Sequence, residues 1–414
     1  MTRGDALSQP WRTDAWWVSH FNYADEIRKA YALPTAVEIH DVTLRDGEQQ
    51  AGIVFTKEDK VRMARLLDEA RVDRIEAGMP AVSGEDRKAI KEIAHIGLQS
   101  EVYCLCRCMK PDVDLALQCD VDGIEIELPS SQHLIEQAYN WPLEKALALP
   151  AEATRYAAEH GLKVSFFTVD GTRADMGWWF KVIDKVASEG HMDALAVVDT
   201  FGVCTPDAIG YYVKRVKQRL RDTPVEIHCH NTFGLAVANT LAAVAAGAEV
   251  VHATVNGIGE GSGNADLAPT ALALKALYGV NVKMDLAKLS PLARAVEELT
   301  KIKMPPNYPI VGDEAFAVES GLLVSWWLQT MRVDPKIVFP YDWKLVGRRP
   351  PEIFFGKKSG MANVQYALGE LGLTLPEEKA GDLLLAIKEE SILKRRRLTL
   401  EEVRDLCERQ MGGP

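Results

Sequence analysis

The sequence has no surplus of positive charge. Lys and Arg total 48 against 59 Asp and Glu, a formal net charge of −11, so the footprint of a nucleic-acid binder is missing. No apolar run is long enough to span a bilayer, and the opening MTRGDALSQPWRTDAWW lacks the apolar stretch of a secretory signal. Neither nucleic acid nor membrane is an expected partner, and the cytoplasm is the expected location. Cysteine is sparse and odd in number, with seven in 414 residues, which argues against a disulfide framework. Cys104, Cys106 and Cys108 alternate along EVYCLCRC, whereas thiolate metal clusters more often use two-residue gaps. Reduced, partly buried strand cysteines are expected.

What is present is a regular alternation of strand-like and helix-like segments. Apolar or β-branched runs occur at 37–44, 74–79, 100–106, 123–129, 162–169, 194–200, 225–231 and 250–258. Amphipathic stretches of helical period lie between them, such as TKEDKVRMARLLDEA and PDAIGYYVKRVKQRL. Eight strand–helix units predict a parallel sheet closed as a (β/α)8 TIM barrel over 36–285; an open doubly wound sheet is the competing architecture. Residues 1–35 predict a docked, aromatic-rich helical N-terminal extension. Residues 286–414 predict a linker followed by a small, mainly helical C-terminal region. The pairs Trp178–Trp179 and Trp326–Trp327 suggest packing or oligomer contacts, and a homodimer is expected.

The polar residues Asp46, Pro80, Ser130, Asp170, Thr200, His230 and Asn256 fall at or just past strand C-terminal ends, the catalytic face of such barrels. In VEIHCHN, His228 and His230 stand two apart, so both imidazoles leave one face of a strand. Barrel closure brings them beside Asp46 and the glycine-rich turn NGIGEGSGN that carries Asn264. Two imidazoles, a carboxylate and an amide oxygen suit a divalent cation that holds an oxygen-rich substrate. Arg45, next to Asp46, is placed to stabilise a developing oxyanion. Together they point to enolate chemistry on a 2-oxo acid. Taken alone, Asp46 and Arg45 could equally be a helix cap and its ion-pair partner. Gln49, Glu76, His133, Thr200 and Glu260 are further strand-end candidates. Asn231 and Thr232 are expected to support the histidines.

The motif TLRDGEQ (Thr43–Gln49), the HCHN segment and NGIGEGSGNA together resemble the hallmark motifs of the DRE-TIM metallolyases. That superfamily includes 2-isopropylmalate, homocitrate and citramalate synthases and 3-hydroxy-3-methylglutaryl-CoA lyase. The resemblance covers about residues 36–280 and extends more faintly through PIVGDEAFAVESG and GKKSG, which look like the linker of the Claisen-condensing branch. It implies a divalent metal (Mg, Mn, Zn or Co) on Asp46, His228, His230 and Asn264. It also implies that Arg45 stabilises the enolate or the polarised keto group, with Gln49, His133 and Thr200 near the substrate. Arg45, Gln49 and Thr200 are therefore the expected catalytic residues, and Arg45, the strand-end candidate Glu76, His133 and Thr200 the expected substrate binders.

Three features depart from that branch. Val169 stands where a glutamate is usual, and Val318 and Leu323 stand where the linker usually has histidines. A valine or leucine cannot move a proton. The catalytic cysteine of the lyase branch is not found in GIGEGSGN either, and no leucine-pathway regulatory domain is expected. The leading expectation is therefore a lyase or aldolase that cleaves a 4-hydroxy-2-oxo acid through a metal-bound pyruvate-type enolate. The alternative is a Claisen-type acyltransferase with acyl-CoA as second substrate. A third reading is a metal-binding barrel without turnover.

Overall fold

Each of the eight apolar runs forms a strand. In the computed structural model, which describes residues 9–411, these are β1 (Glu38–Asp41), β2 (Arg74–Glu76), β3 (Glu101–Arg107), β4 (Gly123–Pro129), β5 (Lys163–Val169), β6 (Ala194–Asp199), β7 (Val225–Cys229) and β8 (Val250–Ala253). They pair in sequence order as a closed barrel. Closure is made by β1 on β8, parallel, with Glu38 opposite Val250 and Asp41 opposite Ala253. The fold is a TIM barrel, and the open sheet is excluded. All six residues of β6 are buried, because a barrel strand faces packed side chains on one side and helices on the other.

The helices between strands follow their local signals. Lys57–Glu69 starts at a capping box in which Thr56 and Asp59 satisfy each other's backbone donors, and it buries Met63, Ala64 and Leu67. Pro206–Arg219 starts with proline after a Thr205 side-chain cap and buries Ile209, Tyr212, Val213 and Val216. Cys104, Cys106 and Cys108 are buried, and the cysteines are free.

The chain divides into two compact units, Ser19–Met304 and residues 1–18 with 305–414. The barrel unit thus runs past the expected boundary at 285. Helix Leu289–Thr300 buries Leu289, Leu292, Ala293 and Val296, and Asn256 donates to the Ala293 carbonyl. In the same unit Tyr23 donates to Ala276 O at 2.9 Å and Arg28 to Tyr278 O at 2.6 Å. The N-terminal extension is less helical than expected, and its first eight residues lie outside the described ones. Around Thr13, whose hydroxyl accepts from the amides of Ala15 and Trp16, the chain turns. Among the extension's described residues, helical structure is confined to His20–Tyr23 and Asp25–Arg28.

The other unit carries helices Gly321–Thr330, Met361–Leu371, Glu377–Lys394 and Leu400–Met411, and a parallel pair, β9 (Ala317–Val318) and β10 (Glu352–Ile353). The segments VESG and GKKSG pack on each other here. A Cβ on Gly321 would stand 2.6 Å from the Gly360 Cα, and the Lys358 amide donates to Glu319. No helix of the described residues is long and apolar enough to cross a membrane.

Candidate functional site

The loop after β1 is wound tightly enough to aim two neighbouring side chains into the barrel mouth. The amides of Arg45, Asp46 and Gly47 all converge on Val42 O, and Thr43 Oγ1 accepts from Val255 N beside it at 2.9 Å. Arg45 Nε donates to Glu76 Oε2 at 2.7 Å, and its Nη1 donates to Asp46 Oδ2 at 2.7 Å and Gln49 Oε1 at 3.0 Å. The buried Nη2 has no partner among the described residues. Burial opposes the guanidinium charge, but Glu76 and Asp46 outweigh it and hold the pKa above its ordinary value. Arg45 is therefore a fixed cation with one donor to spare.

Asp46 meets the histidines across the barrel seam. Its Oδ2 lies 3.5 Å from His228 Nε2 and 3.7 Å from His230 Nε2, and the two Nε2 atoms are 3.2 Å apart. Atoms bound at roughly 2.0–2.1 Å to one ion stand about 3–3.4 Å from each other. The separation of the two Nε2 atoms lies in that range and the two contacts to Asp46 lie just above it, so a small inward shift of the carboxylate would let all three share a cation. The tautomers suit it as well. His230 Nδ1 is 3.3 Å from Glu260 O, a group that can only accept; Nδ1 carries the proton and Nε2 keeps its lone pair. Burial pushes the His228 pKa down to about 3 against the pull of Asp46, leaving a neutral ring. Burial alone would raise the Asp46 carboxyl, but Arg45, then His228 and His230, hold it well below the usual carboxylate range. Two imidazoles and a carboxylate form a donor set for a divalent cation.

Asn264 joins this group, with its amide nitrogen toward the carboxylate. Nδ2 donates to Asp46 Oδ1 at 2.7 Å, and the buried Oδ1 is without a partner among the described residues. The glycine-rich turn makes this approach possible. A Cβ on Gly259 would fall 2.1 Å from Asn264 Nδ2 and 2.9 Å from Asp46 Oδ1, and one on Gly263 would fall 1.9 Å from Gly257 O. Glu260 serves through its backbone, since its amide reaches Asp46 Oδ1 at 3.2 Å. Asn231 accepts from Ala236 N at the start of the next helix.

His133 and Thr200 belong to a neighbouring polar group around buried Asp170. His133 Nε2 is 3.0 Å from Asp170 Oδ2, and Arg173 Nε is 2.7 Å from Oδ1. Thr200 Oγ1 accepts from Asp170 N at 2.8 Å, which leaves its hydroxyl proton free to donate. A cavity of about 380 Å³ beside the mouth is lined by Arg45 and Gln49, and also by Lys60 and Phe55. Lys60 is buried between Glu48 and Asp86. Asp46 and the two histidines are not among the cavity walls.

Sequence reasoning missed Glu127. It lies two residues past the inward-facing Glu125 on β4, hence on the same face nearer the mouth. Burial raises its carboxyl pKa, with Arg45 as the first opposing charge. The signal was available in GIEIELP, where two glutamates alternate inside an otherwise apolar strand. Val169 packs against Phe167, Ala196 and Val198, giving an apolar wall where a carboxylate was expected by analogy.

Residues 36–296 match the family model described as HMGL-like. The chain belongs to the HMGL-like family. It is therefore a DRE-TIM enzyme of carbon–carbon bond chemistry. A homocitrate synthase of Methanopyrus kandleri is 41% identical over 366 residues, covering 88% of this chain and 90% of that protein. An (R)-citramalate synthase of Methanocaldococcus jannaschii is 38% identical over 353 residues, covering 85% of this chain and 68% of that one. Among solved structures, a hydroxymethylglutaryl-CoA lyase from Pseudomonas aeruginosa superposes with a TM-score of 0.58 at 20% identity, covering 66% of this chain and 95% of that one. The lyase likeness shows the fold. The comparisons favour the condensing alternative over the aldolase expected first.

Proposed function

We propose that the chain is a Claisen-type acyltransferase that joins an acyl-CoA to a 2-oxo acid. One observation carries this reading. Likeness to the synthases spans 88% of the chain, whereas a lyase matches 66% of it while using 95% of its own length. The synthase relationship therefore includes sequence outside the part that the lyase fold accounts for.

Asp46, His228 and His230 would hold the divalent metal, with Asn264 adjusting Asp46 or completing the set. A cation there supplies Lewis acidity to the oxygens of a 2-oxo acid. Arg45 offers its unpartnered Nη2 to the keto oxygen as negative charge grows on it, in a buried setting where one such donor is worth about 3–4 kcal/mol. Thr200 donates its free hydroxyl proton to the substrate carboxylate, and Gln49, anchored by Arg45, flanks it. Glu76 locks the guanidinium in place, while His133 lies on the side of Asp170. With valine at 169, Glu127 is the carboxylate that takes the proton from the acyl-CoA α-carbon. Its raised pKa strengthens it as a base. The new bond joins that carbon to the keto carbon as the C=O π pair moves onto oxygen, which takes a proton from water to become the hydroxyl. Water then cleaves the thioester to release CoA, and Glu127 gives up its proton to solvent.

The test is release of free thiol from acetyl-CoA over a panel of 2-oxo acids, with metal supplied. Thiol that appears only when both substrates are present supports the reading. Silence across that panel, with pyruvate released from 4-hydroxy-2-oxo acids, would return the aldolase to first place.

A further inference from the structure

A second set of ligating side chains lies inside the barrel, one residue layer below the mouth. It comprises His40 on β1, Glu125 on β4, Glu226 on β7 and His252 on β8, all buried. One donor atom from each lies within 4.8 Å of all the others. His40 Nδ1 is 3.4 Å from Glu125 Oε1, and His252 Nε2 is 3.8 Å from the same oxygen and 2.9 Å from Glu226 Oε2. Four ligands arranged tetrahedrally about an ion at roughly 2.0–2.1 Å stand about 3.4 Å apart, which these separations bracket.

Two further observations point to a ligand. Neither ring nitrogen of fully buried His40 has a hydrogen-bond partner among the described residues, although buried polar atoms are nearly always satisfied; Glu125 has as its hydrogen-bond partner only the neighbouring carboxyl of Glu226. The charges also call for a cation. Arg74 divides its guanidinium between Glu226 and half-exposed Glu38, at 2.7 Å from each. Arg74 is thus engaged by Glu226 and Glu38, so an ionised Glu125 beside them calls for a further cation. Burial pushes the Glu125 carboxyl well above its ordinary pKa and the His40 ring well below, so the imidazole is neutral and ready to bind.

We propose that His40, Glu125, Glu226 and His252 form a second, structural metal site for a zinc-class dication in closed tetrahedral coordination. Ser165, 3.0 Å from Glu226 Oε2, and Arg74 orient the Glu226 carboxylate. The site is separate from the mouth. The two donor sets share no residue, and Glu226 and His228 sit two residues apart on one strand, roughly 6–7 Å between their Cα atoms. The rings of His252 and His228 meet edge to face at 5.4 Å, so a metal fixing His252 also stiffens the wall behind a mouth ligand.

The test is metal content of the full chain, produced with zinc, before and after dialysis against EDTA. Wild type should keep about one chelation-resistant equivalent. His228→Ala should keep it too, and His40→Gln/Glu125→Gln should lose it. X-ray absorption at the zinc edge of dialysed wild type should show a shell of two imidazole nitrogens and two oxygens, a readout that does not depend on the variants folding. A dialysed wild type that is folded and metal-free overturns the proposal and leaves a proton shared between Glu125 and Glu226. Retention of the resistant metal by the double variant also overturns it. A single equivalent, kept in His228→Ala and lost in the double variant, supports this site and counts against metal at the mouth.

Discussion

Arg45 is assigned both a structural and a chemical task, and the two can be separated. Its three charge-assisted or polar bonds go to Glu76, Asp46 and Gln49. In Arg45→Met, Glu76 keeps its fully buried position and loses its cation. Removing one partner of a buried pair costs roughly 3–5 kcal/mol. Burial already drives the Glu76 carboxyl above its usual pKa, so protonation can relieve part of this. The loss should sit near the lower figure, about 3 kcal/mol. It should grow with rising pH, because a carboxyl whose folded pKa is raised is most stabilising when protonated and loses that advantage as pH rises through the folded value. Arg45→Met/Glu76→Gln removes both charges and should recover most of the stability, read as the urea midpoint at unchanged slope. Turnover should not return. Both variants should lose about 10²–10³-fold in kcat/KM, equal to about 3–4 kcal/mol of oxyanion stabilisation, with metal content intact. A double variant as unstable as the single one would refute the pairing argument. One that regained turnover with its stability would refute the chemical role.

Four other outcomes follow. His228→Ala should lose chelatable metal and activity together, checked by metal analysis, while keeping its fold by circular dichroism. Gly259→Ala should drive a methyl into Asn264 and Asp46 and lower kcat/KM at least tenfold, with a much smaller change in melting temperature. Burial raises the Asp41 pKa to about 7, so its stabilising contribution is full below about pH 4 and is lost as pH rises through 7; Asp41→Asn should therefore be near neutral at pH 4 and stabilising by roughly 2–4 kcal/mol at pH 8, as read by denaturant titration. Glu127→Gln should cut kcat far more than KM and remove the acidic limb of the pH–rate profile; an unchanged profile would exclude it as the base.

The barrel was legible because parallel strands buried on both faces read as short apolar runs, and eight of them stand out between amphipathic stretches. His228 and His230 were legible from a two-residue period, and Asp46 from its place just past β1. Contacts between distant strands were less so. Nothing local shows that Glu125 in GIEIELP will meet His40, Glu226 and His252, since only closure puts β4 opposite β1, β7 and β8. The amide orientation of Asn264 is set by the turn around Gly259 and Gly263, whose backbone path is not encoded in spacing. The N-terminal segment misled because aromatic content suggested a helix where Pro10 and the Thr13 turn direct the chain otherwise. Val169, Val318 and Leu323 point toward an aldolase because they replace polar groups, whereas Glu127 is hard to single out in GIEIELP, where its partner Arg45 lies on a distant strand end.

Anomalous diffraction from crystals of manganese-loaded protein soaked with a 2-oxo acid would decide whether the barrel mouth works as described. The expected result is a metal peak bonded to Asp46, His228 and His230, with the keto acid's oxygens on the same ion and Arg45 Nη2 within hydrogen-bonding distance of the keto oxygen. A mouth that stays free of anomalous signal at saturating metal, or a keto acid bound away from Arg45, would contradict it.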